Sequence, residues 1–437
     1  MTLPASSEVG ATRQRIRRVF SIGLLNNVMS LLISFLIPPL FVSALGTERY
    51  GQWLYLFSIP TSLVMLDMGI SSAFSTEIYR HHVEGRVEQA ARLLRTGCRV
   101  VVALMLLVLV LSASLIAWHH ATQGDLEFHA TLFVLCLYII LGFPSELLVA
   151  SFKIAGRFDQ NQWLYLAARI LELMLLLALI RTNQFVWMAG GLVAARVLMM
   201  LALAVQARRL TPTLFRGHWR DREPFKHLWL PSVTHALSPL IIFVSMQVPL
   251  LILAPTAGLT AVVAYSTIRT LARLPLQLSS QMSYSLFTEY TRMAANGQHG
   301  LIERLYRKGQ WAIIGLFSLA AVGGWWLGEP FLNWWVKQTV IGFHWIFVCL
   351  VLEALFESMM RHRVCLSSSN NRHAFDAMFQ LMVVGFAVCG LYITGQSTGE
   401  LVWMVMASAG VTLSGLLILL WRDRRLDLSQ MLGSGAR

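Results

Sequence analysis

The stretch AVVAYSTIRTLARLPLQLSSQMSYSLFT, residues 261–288, is apolar enough to cross a bilayer, yet it carries a regular set of polar side chains. Ser266, Arg269, Thr270, Arg273, Gln277, Ser280, Gln281 and Tyr284 recur at spacings of three and four, which in a helix puts them on one face. Arg269 and Arg273 stand one turn apart, and each costs about 2.5 to 3.5 kcal/mol to place at the centre of a helix in lipid. They therefore require compensation, from a ligand or from acidic side chains. Pro275 follows closely and cannot donate a backbone hydrogen bond, so a bend is expected there, with the carbonyl near Leu271 released.

The rest of the chain decides that this helix lies in a membrane. Of 437 residues, 56% are hydrophobic and only 13% charged, and the mean hydropathy is +0.61. A soluble domain carries about twice that charge. Apolar runs long enough to span fall near 20–45, 51–78, 99–118, 129–152, 159–181 and 185–207, then near 228–254, 260–288, 310–328, 342–362, 374–394 and 400–421. The expectation is an all-α polytopic membrane protein with about twelve transmembrane helices.

The net charge of +13 follows from topology and gives no reason to expect a nucleic-acid partner. With the amino terminus in the cytoplasm, Lys and Arg number about 4, 5, 2, 6, 4, 3 and 4 in successive cytoplasmic segments, against about 3 in all the outer loops. Both termini are expected to face the cytoplasm. The first apolar run is longer than a signal-peptide core and lacks a small-residue cleavage site, so it is read as the first span. The expected division is a basic segment at 1–19, an amino-terminal lobe of six spans at 20–207, a cytoplasmic connector at 208–227, a carboxy-terminal lobe at 228–421 and a tail at 422–437.

A shift of 210 residues aligns Pro39 with Pro249, Leu40 with Leu250, Ala44 with Ala254 and Tyr55 with Tyr265, superimposing the junction of spans 1 and 2 on that of spans 7 and 8. Each half has an even number of spans, so the halves share one orientation. That is a parallel pseudo-two-fold repeat, whose interface is where a substrate site is expected.

Polar side chains also line the equivalent helices. Span 1 has Asn26, Asn27, Ser30 and Ser34; span 2 has Tyr55, Ser58 and Ser62; span 7 has Ser232, His235, Ser238 and Ser245. Taken singly they are ordinary interhelical hydrogen-bonding groups, whereas as a set they line a cavity. The candidate substrate-binding residues are thus Arg269, Arg273, Gln277, Ser266, Asn26, Asn27, Ser30, Tyr55 and His235. Among other intramembrane charges, Glu172 with Arg196 and Glu146 with Arg169 are read as structural ion pairs. Asp67, Glu353 and Glu357 are candidates for binding a coupling cation, and the two glutamates are alternatively the partners of Arg269 and Arg273.

Enzyme chemistry finds little support. There is no Gly-rich phosphate loop, nucleophile elbow or HExxH, and no catalytic residue or cofactor is expected. The five cysteines form no CxxC pair and the histidines have no metal-ligand spacing, so free thiols and no metal centre are expected. The largest outer loop, 328–341, is too short for a catalytic domain, and its Trp334 and Trp335, with Trp325 and Trp326, suit the headgroup level.

At the junction of spans 1 and 2 the chain reads Leu45-Gly46-Thr47-Glu48-Arg49-Tyr50-Gly51-Gln52-Trp53, followed by Leu66-Asp67-Met68-Gly69-Ile70. This pattern resembles the Wzx-type O-antigen flippases and polysaccharide exporters of the multidrug/oligosaccharidyl-lipid/polysaccharide flippase superfamily. The resemblance implies a MATE-like pair of six-helix lobes around a cationic cavity that alternates between leaflets. The implied cargo is an undecaprenyl-diphosphate-linked oligosaccharide, an O-antigen or exopolysaccharide repeat unit, moved across a bacterial inner membrane. Implied partners are this lipid-linked substrate, bilayer lipids and a polysaccharide polymerase or chain-length machinery. The rival reading is a cation-coupled drug antiporter of the same superfamily, for which an acidic cavity is expected instead of a basic stripe.

Overall fold

The computed structural model describes residues 5–67, 69–123, 125–216, 229–295, 298–368 and 374–425. Every regular element among them is helical, as lipid demands of a chain whose backbone groups must be satisfied internally. In order they are α1 (Ala5–Leu45), α2 (Thr47–Thr61), a 3-10 segment (Ser62–Asp67), α3 (Ile70–Val83), α4 (Val87–Gln123), α5 (Leu126–Ile140), α6 (Ser145–Ile154), α7 (Phe158–Leu179) and α8 (Phe185–Leu210). There follow α9 (Trp229–Met246), α10 (Val248–Ala257), α11 (Leu259–Ala272), α12 (Leu274–Ala295), α13 (His299–Val336), α14 (Phe343–Ser368), α15 (Ala374–Thr398) and α16 (Leu401–Arg425). The protein is a multi-pass membrane protein: ten described helices are long and apolar enough to cross a bilayer, or eleven if the bent pair of α2 and α3 is one span.

Against twelve, ten omits the bent pair of α2 and α3 as well, and eleven leaves one difference, at 260–288. That stretch is two helices, and only α11 is a short apolar segment. The break falls at Arg273, whose backbone N–H still closes on the Arg269 carbonyl at 3.1 Å. Pro275 offers no N–H to the Leu271 carbonyl and its ring crowds that carbonyl, which accounts for a break in the turn just before it, with Pro275 falling in the first turn of α12. The expected outer loop at 328–341 is also shorter. α13 continues through Pro330 to Val336 because Leu332, Trp335 and Val336 are buried there, while Trp334 remains exposed.

The described chain forms two compact units, residues 1–37 with 56–239 and residues 38–55 with 240–437. In the first, Phe74, Ile78, Leu93, Leu94 and Ile140 form a core among α3, α4 and α5, and Phe152, Ala168, Leu203 and Ala207 form another among α6, α7 and α8. In the second, α14 packs against α11, α12, α13 and α16, and α15 lies along α16.

The Gly46–Trp53 motif has a structural explanation within the second unit. Gly46 has φ +80°, ending α1 and starting α2 in a conformation that side chains resist. Tyr50 and Trp53 are buried against Phe41, with ring centroids at 5.3 and 6.0 Å. Gly51 faces the Leu259 carbonyl so closely that an added Cβ would sit 2.4 Å from its oxygen. Gly258, with φ +89°, makes the matching junction of α10 and α11. Gly46 and Gly258 are 212 residues apart, so the repeated junctions are offset by two residues from the alignment of Pro39 with Pro249.

Candidate functional site

The polar face of α11 meets α14 inside the second unit, and α15 and α16 supply the rest of the wall of a cavity beside it. Arg269 and Arg273, one turn apart, confront Glu353 and Glu357, one turn apart on α14, around a cavity of about 40 Å³ also lined by Tyr265 and Ser408. Arg273 Nη2 lies 2.6 Å from Glu357 Oε2, and the other carboxylate oxygen, Oε1, takes Arg361 Nη2 at 2.6 Å. Glu357 is therefore held between two guanidinium groups, one of them from its own helix.

Arg269 has different partners. Its Nη1 donates to the Met246 carbonyl at 2.6 Å, a backbone oxygen at the end of α9, and its guanidinium lies 5.0 Å from the centroid of the Tyr265 ring. Glu353 accepts a hydrogen bond from Ser408 Oγ at 2.6 Å and lies in the field of both α11 arginines. The three arginines outnumber the two carboxylates, so the cluster is cationic when both are ionised. Such a space admits roughly three waters by the usual allowance for one water.

The other expected residues of this helix diverge in environment. Ser266 is buried and donates to the Val263 carbonyl at 3.1 Å, whereas Gln277, beyond the helix break, is exposed. Tyr55 is half-buried at the end of the segment 38–55. The His235 side chain lies outside the described residues.

In the first unit, Asn26 Nδ2 donates to both the side chain and the backbone oxygen of Gln162 on α7, each at 3.2 Å. Ser30 donates to the Asn26 carbonyl at 2.8 Å and receives Arg169 of α7 on its hydroxyl. Asn27 is half-buried beside them. The expected pairing of Arg169 with Glu146 is not found: Arg169 turns to α1, and Glu146 opens α6 near Asp67 and Tyr165. Glu172 and Arg196 do pair, at 3.7 Å, with Tyr138 donating to Glu172 at 2.9 Å. Asp67 ends the 3-10 segment and accepts from the Ser71 hydroxyl at 2.7 Å, across Gly69 with φ +66°.

Sequence spacing did not point to Arg361, Ser408, Gln162 or the role of Arg169. Arg361 carried a usable signal, four residues after Glu357 on one helix. The others come from helices distant in sequence and had none. The cysteines are free, and no group of three metal-ligating side chains occurs among the described residues, although His119 Nδ1 and His129 Nε2 approach to 2.6 Å.

Residues 16–287 match the model of a family described as polysaccharide biosynthesis protein. The chain belongs to that family. No curated protein matches this polysaccharide biosynthesis family member. Among solved structures it is similar to the lipid II flippase MurJ in an inward closed conformation, with a TM-score of 0.70 at 14% identity, covering 95% of this chain and 89% of that one. It is also similar to the Vibrio cholerae MATE transporter VcmN in its bent form, with a TM-score of 0.57 at 16% identity over 96% and 99% of the two chains. A MOP superfamily transporter from Pyrococcus furiosus scores 0.58 at 14% identity over 94% of each. These likenesses establish the fold.

Proposed function

We propose that this family member is a flippase, not an enzyme, and that it carries an undecaprenyl-diphosphate-linked oligosaccharide across a bacterial inner membrane by alternating access. The observation that carries the reading is the pair of half-buried arginines, Arg269 and Arg273, beside a cavity, with part of their hydrogen-bonding capacity used by Met246 and Glu357. A guanidinium fork matches the paired oxygens of a diphosphate. The lipid portion of the cargo stays in hydrocarbon, and the polar side chains Asn26, Asn27, Ser30 and Tyr55 are assigned to the sugar hydroxyls.

A cavity of about 40 Å³ does not hold a diphosphate. Loading therefore requires an open state in which Arg273 exchanges Glu357 for a phosphate oxygen. Glu357 then remains paired with Arg361, so the exchange strands no carboxylate. An inside-negative potential favours outward movement of an anion by about 2.3 kcal/mol per charge per 100 mV, so no nucleotide site is required. Glu353, hydrogen-bonded to Ser408 and with no guanidinium in ion-pair contact among the described residues, is the group assigned to a coupling cation.

The test is transport of a fluorescent polyprenyl-diphosphate oligosaccharide in vesicles reconstituted with the purified chain. Arg269→Ala and Arg273→Ala are expected to abolish transfer while leaving the protein folded, with Lys at either position restoring only part of it. Full transfer by the double alanine variant refutes the assignment. Proton-coupled efflux of lipophilic cations, with no lipid transfer, would support the antiporter instead.

A further inference from the structure

A second, larger space lies in the first unit. A groove of about 720 Å³ opens between α7 and α8, with Trp163, Leu164 and Ala167 on one side and Leu201, Ala202 and Val205 on the other. Its volume falls within the roughly 300 to 1,000 Å³ of small-molecule sites. The walls are apolar and continuous with membrane-spanning surface, since both helices qualify as spans and Trp163, Leu201 and Val205 are exposed. Gln160 and Gln206 close one end with a hydrogen bond of 3.1 Å.

The groove is separate from the polar contacts between α1 and α7. Gln162 and Arg169, seven residues apart on α7, share the face that meets Asn26 and Ser30 of α1. Gln160, Trp163, Leu164 and Ala167 occupy a different face of that helix. On α8, Leu203 and Ala207 turn inward to the core with Phe152, and Leu201 and Val205 are left outward.

The glutamine end of the groove is also its basic end. Arg209 continues the row of Leu201 and Val205 at four-residue spacing, and Arg157 precedes Gln160 by three. Both arginines are exposed, and neither has a carboxylate within ion-pair distance among the described residues. Lys153 adds a third exposed cation, and Asp159 is the acidic residue of the first turn of α7. An apolar channel running inward from unpaired arginines complements a molecule with an anionic head and a hydrocarbon chain.

We propose that the groove between α7 and α8 binds an anionic phospholipid, its acyl chain against Trp163, Ala167 and Leu201 and its phosphate on Arg157 and Arg209. This site is independent of the transport reading, because none of its residues takes part in the cluster around Arg273. A lipid there ties α7 to α8 at the basic end of both spans, where Gln160 and Gln206 already join them.

Trp163 provides the readout. The full chain is reconstituted into phosphatidylcholine vesicles containing a minor fraction of either dibromo-phosphatidylglycerol or dibromo-phosphatidylcholine, and its fluorescence is compared with that of Trp163→Phe. Quenching of the Trp163 component is expected at a much lower mole fraction of the brominated anionic lipid. Arg157→Gln and Arg209→Gln should each weaken that preference about fivefold, the worth of one basic residue near an anionic surface. Ala167→Phe, which fills the groove and leaves the arginines in place, should reduce quenching by both lipids. Equal quenching by the two lipids in the unaltered chain, or a preference unaffected by both arginine substitutions, overturns the proposal. So does relief of quenching by unbrominated polyprenyl diphosphate at concentrations where unbrominated phosphatidylglycerol has no effect, since the occupant is then the isoprenoid chain of a substrate.

Discussion

Glu357 holds Arg273 and Arg361 at 2.6 Å each, so removing its charge leaves two guanidinium groups without their shared partner. Breaking a buried pair by truncating one member costs about 3 to 5 kcal/mol, and Glu357→Ala is expected to lower the thermal midpoint in detergent accordingly. The exchange Arg273→Glu with Glu357→Arg separates structure from transport. It should recover only part of the stability lost in either single variant, because opposite charges face each other again between positions 273 and 357 while Arg361 loses its carboxylate and meets a like charge one turn away, yet transfer of a diphosphate lipid should remain absent. Recovery of transport by the exchanged pair would mean that Arg273 serves only Glu357. Arg363 poses a purely structural counterpart, buried with Asp376 at 2.9 Å and paired also with Asp423, and Arg363→Met should destabilise the chain by about 3 to 5 kcal/mol. The α11 stripe was legible because four-residue spacing is a local property of the sequence. Its partners were legible only as coincidence: Glu353 and Glu357 matched two arginines in number, but Ser408 and the Met246 carbonyl arrive through tertiary packing.

Helices α2 and α11 approach so closely at Gly51 that the motif Tyr50-Gly51-Gln52-Trp53 is explained by packing without a ligand. A methyl at Gly51 would meet the Leu259 carbonyl oxygen at 2.4 Å and its carbon at 2.9 Å, atoms that cannot move aside as a side-chain tip can. Gly51→Ala is therefore expected to cost about 1 to 3 kcal/mol, as overpacking does, and Leu259→Ala should not rescue it because the obstructing oxygen is main-chain. Gly46→Ala meets no atom within 4 Å and should lose only about 1 to 2 kcal/mol from its left-handed conformation. Thermal midpoints of the purified variants, alone and combined with Leu259→Ala, check both. Hydropathy located most elements but blurred their breaks. It merged α11 with α12, and α2 with the 3-10 segment and α3, because an apolar run reports burial in lipid and is blind to a helix interrupted within it. Pro275 signalled the first break, and nothing in the residues 62–67 signalled the 3-10 geometry.

At the scale of the chain, the membrane character was legible from composition alone, since 13% charged residues leave no surface for a soluble domain of 437 residues. Less legible was the grouping of residues 38–55 with the second unit, because contacts between segments some 200 residues apart leave no periodic trace in sequence. Orientation remains a property of charge distribution, and it makes a prediction that the helices themselves do not. Lys and Arg concentrate in the segments at 1–19, 79–99, 208–227 and 422–437, and scarcely occur in the alternate connections. Translocation of such basic segments is disfavoured, so both ends of the chain and the connector at 208–227 are expected on the cytoplasmic side. Green fluorescent protein fused after Arg437 should fluoresce, and alkaline phosphatase at the same position should be inactive. Phosphatase inserted at Lys337, between α13 and α14, should be active. An active phosphatase at the carboxy terminus would reverse the assignment, and with it the leaflet that Arg157 and Arg209 face. Replacing Arg13, Arg15, Arg17 and Arg18 together by Gln tests the cause: if the bias is distributed, the remaining basic connections hold the orientation, and the fusion pattern stays unchanged.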